Sequence, residues 1–397
     1  MDYLIPAESV CTPVFGEGRH FPYFSSSLKA MQQTTLDLFS SLLQRGLGIR
    51  TWADIKSPIS ENTWKELLTL ARKQAVTGIV MDGILKLPAE YLPPAPIKLK
   101  GIQQLLRIEQ LNRRLNGEAV QVSEFLQAEG YACTILKGQG IAKYYPNPLH
   151  RMPGDIDVWP DAEPDVLRKY GHTRFPDKEW TLHHTHLPLL DETEVELHFQ
   201  PSYMYNPLTN RWLLAFCRKH RKACVGNWVR LEGTGRPVAV ATDTFNRVYV
   251  LQHIMRHLFE EGIGLRQLTD YALVLRKGMT PAEKEETLQT LRRLNMEGFA
   301  GAVMYVLQTV FALEPEYLLC TPDERRGKLL LEEVLEGGNF GFYDRRGDKR
   351  NLPNKVRKRV HKFLRVLSLA PSEAVWSFLF FTRAFFLRRW HRLKLSN

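Results

Sequence analysis

At 397 residues, 44% of them apolar, the chain is too long for one small domain and too apolar for wholesale disorder, so two or three domains with a real core are expected. Its net charge of +11 is unevenly spread: residues 345–397 hold 15 Lys and Arg against Asp348 and Glu373, or +13, which leaves −2 for residues 1–344. Five cysteines, Cys11, Cys133, Cys217, Cys224 and Cys320, are an odd set without a C-x-x-C pair, which argues against a disulfide framework and for reduced thiols in a cytoplasmic protein.

Met1 to Arg19 is not expected to be a signal peptide, because Asp2, Glu8 and two prolines interrupt any apolar run. From about Ser27 to Leu126 the period is helical, as in Thr63 to Leu85, where Thr63 and Glu66 read as a capping box; the proline cluster Leu92 to Ile97 breaks it. Tyr131 to Leu136 predicts a short buried strand that breaks at Lys137-Gly138 and continues as a helix from Gln139 through Tyr145. A glycine at such a turn lets backbone amides approach a phosphate, and the helix start favours the anion.

The stretch Leu136 to Trp159, LKGQGIAKYYPNPLHRMPGDIDVW, carries Asp155 and Asp157 one residue apart. If Gly154 to Trp159 is a strand, both carboxylates project from one face. Two carboxylates that close repel, and a divalent cation with a nucleotide phosphate neutralises such a pair. A third acid is expected on a neighbouring strand. Glu194-Val195-Glu196-Leu197-His198-Phe199 supplies it, with Glu194, Glu196 and His198 on one face and Val195, Leu197 and Phe199 on the other. Glu194 competes with Glu196 for the role, since both lie on the same face.

Between them, His183, His184 and His186 match no structural zinc spacing and have no cysteine nearby, so zinc is not expected. His184, His186 and His198 read either as cleft residues that hold phosphate or move protons, or as polar residues of an edge strand. Lys137 and Arg151 are the cations nearest the acids, either offsetting developing charge or standing as solvated loop residues. Thr242 to about Leu335 returns to helix, capped by Asp243 or Thr244; within it His253 and His257, and Arg266 and Asp270, are four apart and share helical faces. Residues 345–397 alternate basic and apolar-aromatic stretches, and the apolar run Val375 to Leu387 is shorter than the roughly 20 residues a spanning helix needs. The tail therefore reads as a hairpin docked on the body, a membrane-surface helix or a polyanion contact.

These motifs resemble the nucleotidyltransferases of the polymerase-beta type, and within them an uncharacterised bacterial branch with an L-K-G turn before G-D-I-D. Gly138 falls on the turn glycine, Asp155 and Asp157 on the paired metal ligands, and Glu196 on the third acid. The resemblance extends to His186-Leu187-Pro188, to Glu196-Leu197-His198, and to the helix around His253, His257, Arg266 and Asp270, covering about Leu126 to Leu275. Gln139 departs from the pattern, standing where the family at large has a serine.

Pattern and composition along the chain predict an α+β fold, a small mixed sheet at 126–205 flanked by a mainly helical region at 1–125, a helical domain at 206–340 and a basic amphipathic tail at 341–397, and the resemblance implies that the sheet is the nucleotidyltransferase core. It implies a catalytic and metal set of Asp155, Asp157 and Glu196 holding two Mg²⁺, with Mn²⁺ as a substitute. Lys137, Gly138, Gln139 and Arg151 would bind the nucleotide, an NTP and ATP in the first instance. His186, Glu194, His198, His253, Arg266 and Asp270 are further cleft candidates. The acceptor, a hydroxyl or amine, is not legible. The alternative is a non-catalytic nucleotide-binding or regulatory protein whose tail meets a membrane or polyanion; either way no transmembrane span is expected, and the location is cytoplasmic or peripheral to the membrane.

Overall fold

The structure, a computed structural model, describes residues 33–50, 58–178, 180–344, 360 and 362–395. It is α+β: one four-stranded mixed sheet set among helices. The N-terminal helices are α1 (Gln33–Gly46), α2 (Glu61–Lys73), α3 (Thr77–Leu85) and the long α4 (Ala95–Ala128). Thr63 to Leu85 is thus two helices rather than one. Ala75 adopts φ +54° and ends α2 in a left-handed turn that a glycine or asparagine would ordinarily signal. The cap also differs from expectation: Ser60 accepts from the Thr63 amide at 3.1 Å, so Thr63 lies inside the helix. The prolines around Pro94 do not only break a helix; they start α4, where a missing N–H is no loss.

α4 presents Leu105, Ile108, Leu115, Ala119, Val122 and Leu126 as a buried stripe at spacings of three, four and seven. Asn112 and Asn116 interrupt the stripe and are also buried. Next come β1 (Cys133–Leu136), a five-residue α5 (Gly138–Ala142), β2 (Ile156–Pro160), α6 (Pro164–Arg174), β3 (His184–Leu187) and β4 (Val195–His198). The helix after the turn is shorter than Gln139 to Tyr145, and β2 starts one residue after Asp155.

Sheet order is β1-β2-β4-β3, with β2 and β4 parallel and both outer pairs antiparallel. Register aligns Leu136, Asp157, Glu196 and His186 in one row across all four strands. Alternate residues face opposite ways, so Ile135, Ile156, Val158, Val195 and Leu197 pack under the sheet with the α4 stripe. Asp157, Glu196 and His198 are left on the other face.

The remainder is α7 (Pro207–Val225), the hairpin β5 (Trp228–Arg230) and β6 (Pro237–Ala239), then α8 (Asp243–Glu260), α9 (Leu265–Arg276), α10 (Pro281–Arg293), α11 (Glu297–Phe311), α12 (Glu324–Gly337) and, last, α13 (Pro371–Leu395). α8 is capped by Thr242, whose hydroxyl accepts from the Phe245 amide, rather than by Asp243 or Thr244. A single apolar cluster joins Leu36 and Phe39 of α1 to Tyr271 of α9, Phe311 of α11 and Ala374 of α13. The helices before and after the sheet therefore pack into one body around it. Residues 345–359 and 361, most of the basic stretch before α13, lie outside the described residues, and among those described no helix is long and apolar enough to cross a membrane.

Candidate active site

Asp157 and Glu196 are register neighbours on the parallel pair β2–β4. Asp157 is 2% exposed, and its Oδ1 receives Lys137 Nζ at 2.9 Å and His198 Nε2 at 2.8 Å. His198 Nε2 also lies 3.0 Å from Glu196 Oε2. Burial would lower the His198 pKa, but hydrogen bonds to both carboxylates raise it. Burial would likewise raise Glu196; the His198 hydrogen bond and charge, then Lys137, hold it well below the carboxylate range instead. For Lys137, desolvation opposes the charge and Asp157 restores it, so the ammonium is held above its ordinary pKa.

Lys137 reaches Asp157 from a backbone of φ +43°, ψ −142°, a region that non-glycine residues avoid, at the break between β1 and α5. Gly138 follows at φ +37°, and a Cβ there would stand 3.4 Å from the Asp155 carbonyl. Asp155 is exposed at the head of β2 and opens into the same cleft as Asp157 and Glu196. Gln139 turns the other way: its side chain is 3% exposed and hydrogen-bonds Asn116 of α4, so it does not line the cleft.

The loop between α5 and β2 is held from several sides. Arg151 forms a two-pronged pair with Asp270 of α9, Nε to Oδ1 and Nη2 to Oδ2, both 2.9 Å, and Tyr145 donates to the same Oδ1 at 2.7 Å. Arg151 is therefore not a solvated loop cation; its guanidinium ties the loop to α9. Asn112 Nδ2 donates to the carbonyls of Leu149 and Arg151, each at 2.7 Å, and Arg266 Nη1 to that of Pro153 at 3.1 Å. His150 bridges Asp82 of α3 and Glu109 of α4 at 2.7 and 2.8 Å, and these hydrogen bonds overcome burial to raise its pKa.

The cleft holds about 750 Å³ and runs between the sheet, α8, α9 and α13. Its sheet end has Lys137, Asp155, Asp157, Glu196 and Arg266, whose buried Nε has no hydrogen-bond partner among the described residues. Glu194 lies outside it, 63% exposed and paired with His186 at 2.8 Å. Of the two candidate acids, then, Glu196 is the one that meets Asp157. His183, His184, His253 and His257 line the wall. Burial lowers His184 to about 4 against the pull of Glu196, and keeps His183 and His253 neutral.

The far end is aromatic. Tyr203 and Tyr205 donate to Glu260 Oε1 at 2.6 and 2.8 Å, and Arg256 Nη1 to Glu260 Oε2 at 2.9 Å. Phe380 and Phe381 of α13 close that end, their rings 5.2 and 5.4 Å from Tyr205. α13 docks through buried Glu373, which accepts from the amides of Tyr205 and Asn206, so its first turns meet the body as a docked segment. Val375, Trp376 and Leu379 remain exposed on α13. Sequence reading overlooked Asn112, Arg256, Glu260 and the α13 phenylalanines. A signal did exist for the first three: Asn112 breaks an apolar period, and His253, Arg256, His257 and Glu260 form a polar stripe at helical spacing.

Could these residues hold a divalent cation? Asp157, Glu196 and His198 place one ligand atom each within 4.8 Å of one another, a span that an ion could bridge; Asp155 stands outside this group but at its solvent side. The buried donor set of two carboxylates suits a hard cation with a phosphate completing its shell. When bound, the ion would supply charge neutralisation at the phosphates and lower the pKa of an attacking hydroxyl.

The profile of a family described as uncharacterised nucleotidyltransferase matches residues 60–312. Among solved structures, one described as an antigenic nucleotidyltransferase-like protein from Paracoccidioides brasiliensis is similar at 11% identity, over 52% of this chain and 93% of that one, with a TM-score of 0.28. Comparison with curated proteins gives no match.

Proposed function

The chain belongs to the uncharacterised nucleotidyltransferase family, and on that premise we propose that it moves a nucleotidyl group from an NTP, ATP in the first instance, to an acceptor hydroxyl or amine with Mg²⁺ as the metal. The observation that carries this reading is the register pairing of Asp157 with Glu196 on parallel strands, with Asp155 opening into the same cleft. Asp155, Asp157 and Glu196 would hold the metal, with Mn²⁺ as a substitute. Lys137 would release Asp157 to the cation and turn its ammonium to the phosphates, and Arg266, which also lines the cleft, would add a second positive charge there. Arg151 and Asp270 position the loop that carries Asp155. Glu196 would take the acceptor's proton only once a bound metal has acidified that hydroxyl, since a carboxylate held this low is by itself a weak base.

On this reading residues 126–205 are the catalytic core, 206–340 supply the facing wall of its cleft, and the acceptor enters at the aromatic end beside α13; among the described residues none of 1–125 lines the cleft. The exposed Val375, Trp376 and Leu379, with the basic sequence of 345–397, support contact with a membrane surface or polyanion. The free thiols Cys133, Cys217, Cys224 and Cys320 support a cytoplasmic location.

A second reading, non-catalytic nucleotide binding, is favoured by one observation: Asp157 is paired with both Lys137 and His198, contacts that a catalytic metal would have to displace. Thermal stabilisation by each NTP, with and without Mg²⁺, tests whether the cleft binds nucleotide through the metal. A Mg²⁺-dependent shift that Asp155→Ala abolishes is expected, and a shift unchanged in Asp155→Ala overturns the proposal. Release of pyrophosphate on adding acceptors then distinguishes an enzyme from a binder.

A further inference from the structure

The cleft contains more imidazole than nucleotidyl transfer calls for. His184 and His198 face each other in register on β3 and β4, and His183 directly precedes β3. The three rings lie 4.5, 5.2 and 5.2 Å apart by centroid, and His183 Nε2 is 3.2 Å from His184 Nδ1. One nitrogen from each of the three falls within 4.8 Å of the others. Glu196 Oε2 closes the group, 3.3 Å from His184 Nδ1 and 3.0 Å from His198 Nε2.

This is an odd arrangement for a purely structural cluster. Two facing imidazole nitrogens can share only one proton, so each contact needs one ring to donate and the other to accept. His198 is 0% exposed, and while its Nε2 engages the two carboxylates its Nδ1 has no hydrogen-bond partner among the described residues. A buried polar atom without a partner is destabilising, so such atoms are ordinarily satisfied by a neighbouring group or a ligand. Two of the rings, His184 and His198, sit on paired strands, where backbone hydrogen bonds fix their spacing, and the Phe199 amide donates to the His183 carbonyl at 3.0 Å just before β3. Nor does the oxygen-ligated Mg²⁺ of the proposed reaction account for them, because that ion seeks carboxylates, phosphates and water, whereas imidazole suits Zn²⁺, Co²⁺, Ni²⁺ and Cu²⁺.

We infer that His183, His184 and His198, with Glu196, form a nitrogen-rich site for a divalent transition metal of the Zn²⁺ or Co²⁺ class, beside the carboxylate pair Asp157 and Glu196. Metal–nitrogen bonds of about 2.0–2.1 Å set tetrahedral ligand atoms about 3.3 Å apart, which the 3.2 Å His183–His184 contact and the 3.3 and 3.0 Å Glu196 contacts already match, while His183 and His198, within 4.8 Å, would close the rest by side-chain rotation. The inference stands on the histidine geometry and does not depend on nucleotidyl transfer. Glu196 serves both sites, so the transition metal and Mg²⁺ compete for it.

The test titrates the full chain with Co²⁺ in excess Mg²⁺ and follows the visible bands of nitrogen-ligated Co²⁺. One equivalent is expected to bind, to be displaced by Zn²⁺, and to bind about tenfold or more weakly in His183→Gln. In Asp155→Ala, Co²⁺ binding is expected to persist while Mg²⁺-dependent ATP stabilisation is lost, so failure of this site and failure of the nucleotidyl-transfer reading give different results. Zinc-edge X-ray absorption on the unmutated protein covers the case in which His183→Gln does not fold. Two or three imidazole ligands are expected; an all-oxygen shell, or Co²⁺ spectra identical in His183→Gln, overturns the inference.

Discussion

Replacing Asp157 by Asn removes one negative charge from a residue that is 2% exposed and bonds two cations, Lys137 at 2.9 Å and His198 at 2.8 Å. The two respond differently. His198 owes its raised pKa to Asp157 and Glu196, so with one carboxylate gone it sheds its proton more readily and relieves part of the imbalance. Lys137, its side chain 15% exposed, has no such exit near neutral pH and stays charged without its principal partner. Breaking a buried ion pair from one side costs about 3–5 kcal/mol. We expect Asp157→Asn near the lower end of that range, because Glu196 still faces the site. Lys137→Met in the same background removes the stranded charge, so the double variant is expected to regain about 2 kcal/mol or more over the sum of the single effects, at the upper end of coupling energies for contacting residues. Urea unfolding of the wild type, both single variants and the double variant at pH 7 closes the cycle. Additivity within about 0.5 kcal/mol would refute the claim that Lys137 is held charged by Asp157.

Two further outcomes follow from single residues. Burial raises Glu373 from 4.5 to about 7 despite the two amides it accepts from, so its contribution to stability is full below pH 4.5 and lost as pH rises to about 7; Glu373→Gln should flatten that dependence, gaining up to about 3 kcal/mol on the wild type above pH 7, and thermal unfolding from pH 4.5 to 8 that runs parallel for both proteins would contradict it. Lys137 sits at φ +43°, ψ −142°, so Lys137→Gly is expected to be more stable than Lys137→Ala by about 1 kcal/mol, the reverse of the usual order, and equal denaturation midpoints would show that the backbone there is unstrained.

Much of the fold was legible in local pattern. Alternation in Glu194 to Phe199 put Val195 and Leu197 in the core and Glu196 on the polar face, because a strand's side chains alternate whatever it pairs with. Composition likewise marked 345–397 as the basic part of the chain, since charge is counted from residue types alone. Local signals failed where the deciding atom lay elsewhere in the chain. Ala75 ends α2 without a breaker residue, and Thr242 rather than its neighbours caps α8. Gln139, next to the turn glycine, faces α4 because Asn116 and Asn112 await it there.

The sequence by itself determined which residues could carry charge, where period two and period 3.6 hold, and hence an α+β chain with acids at the ends of short strands. Tertiary structure alone decided their partners. Parallel pairing of β2 with β4 brought Asp157 to Glu196 and left Glu194 outside; the β3–β4 register joined His184 to His198; and α9, more than a hundred residues on, captured Arg151 through Asp270. Strand periodicity is a property of neighbouring residues, whereas register, burial and ion pairing depend on which distant segments close upon one another. That closure is driven by the apolar surface that the helices on both sides of the sheet bury together.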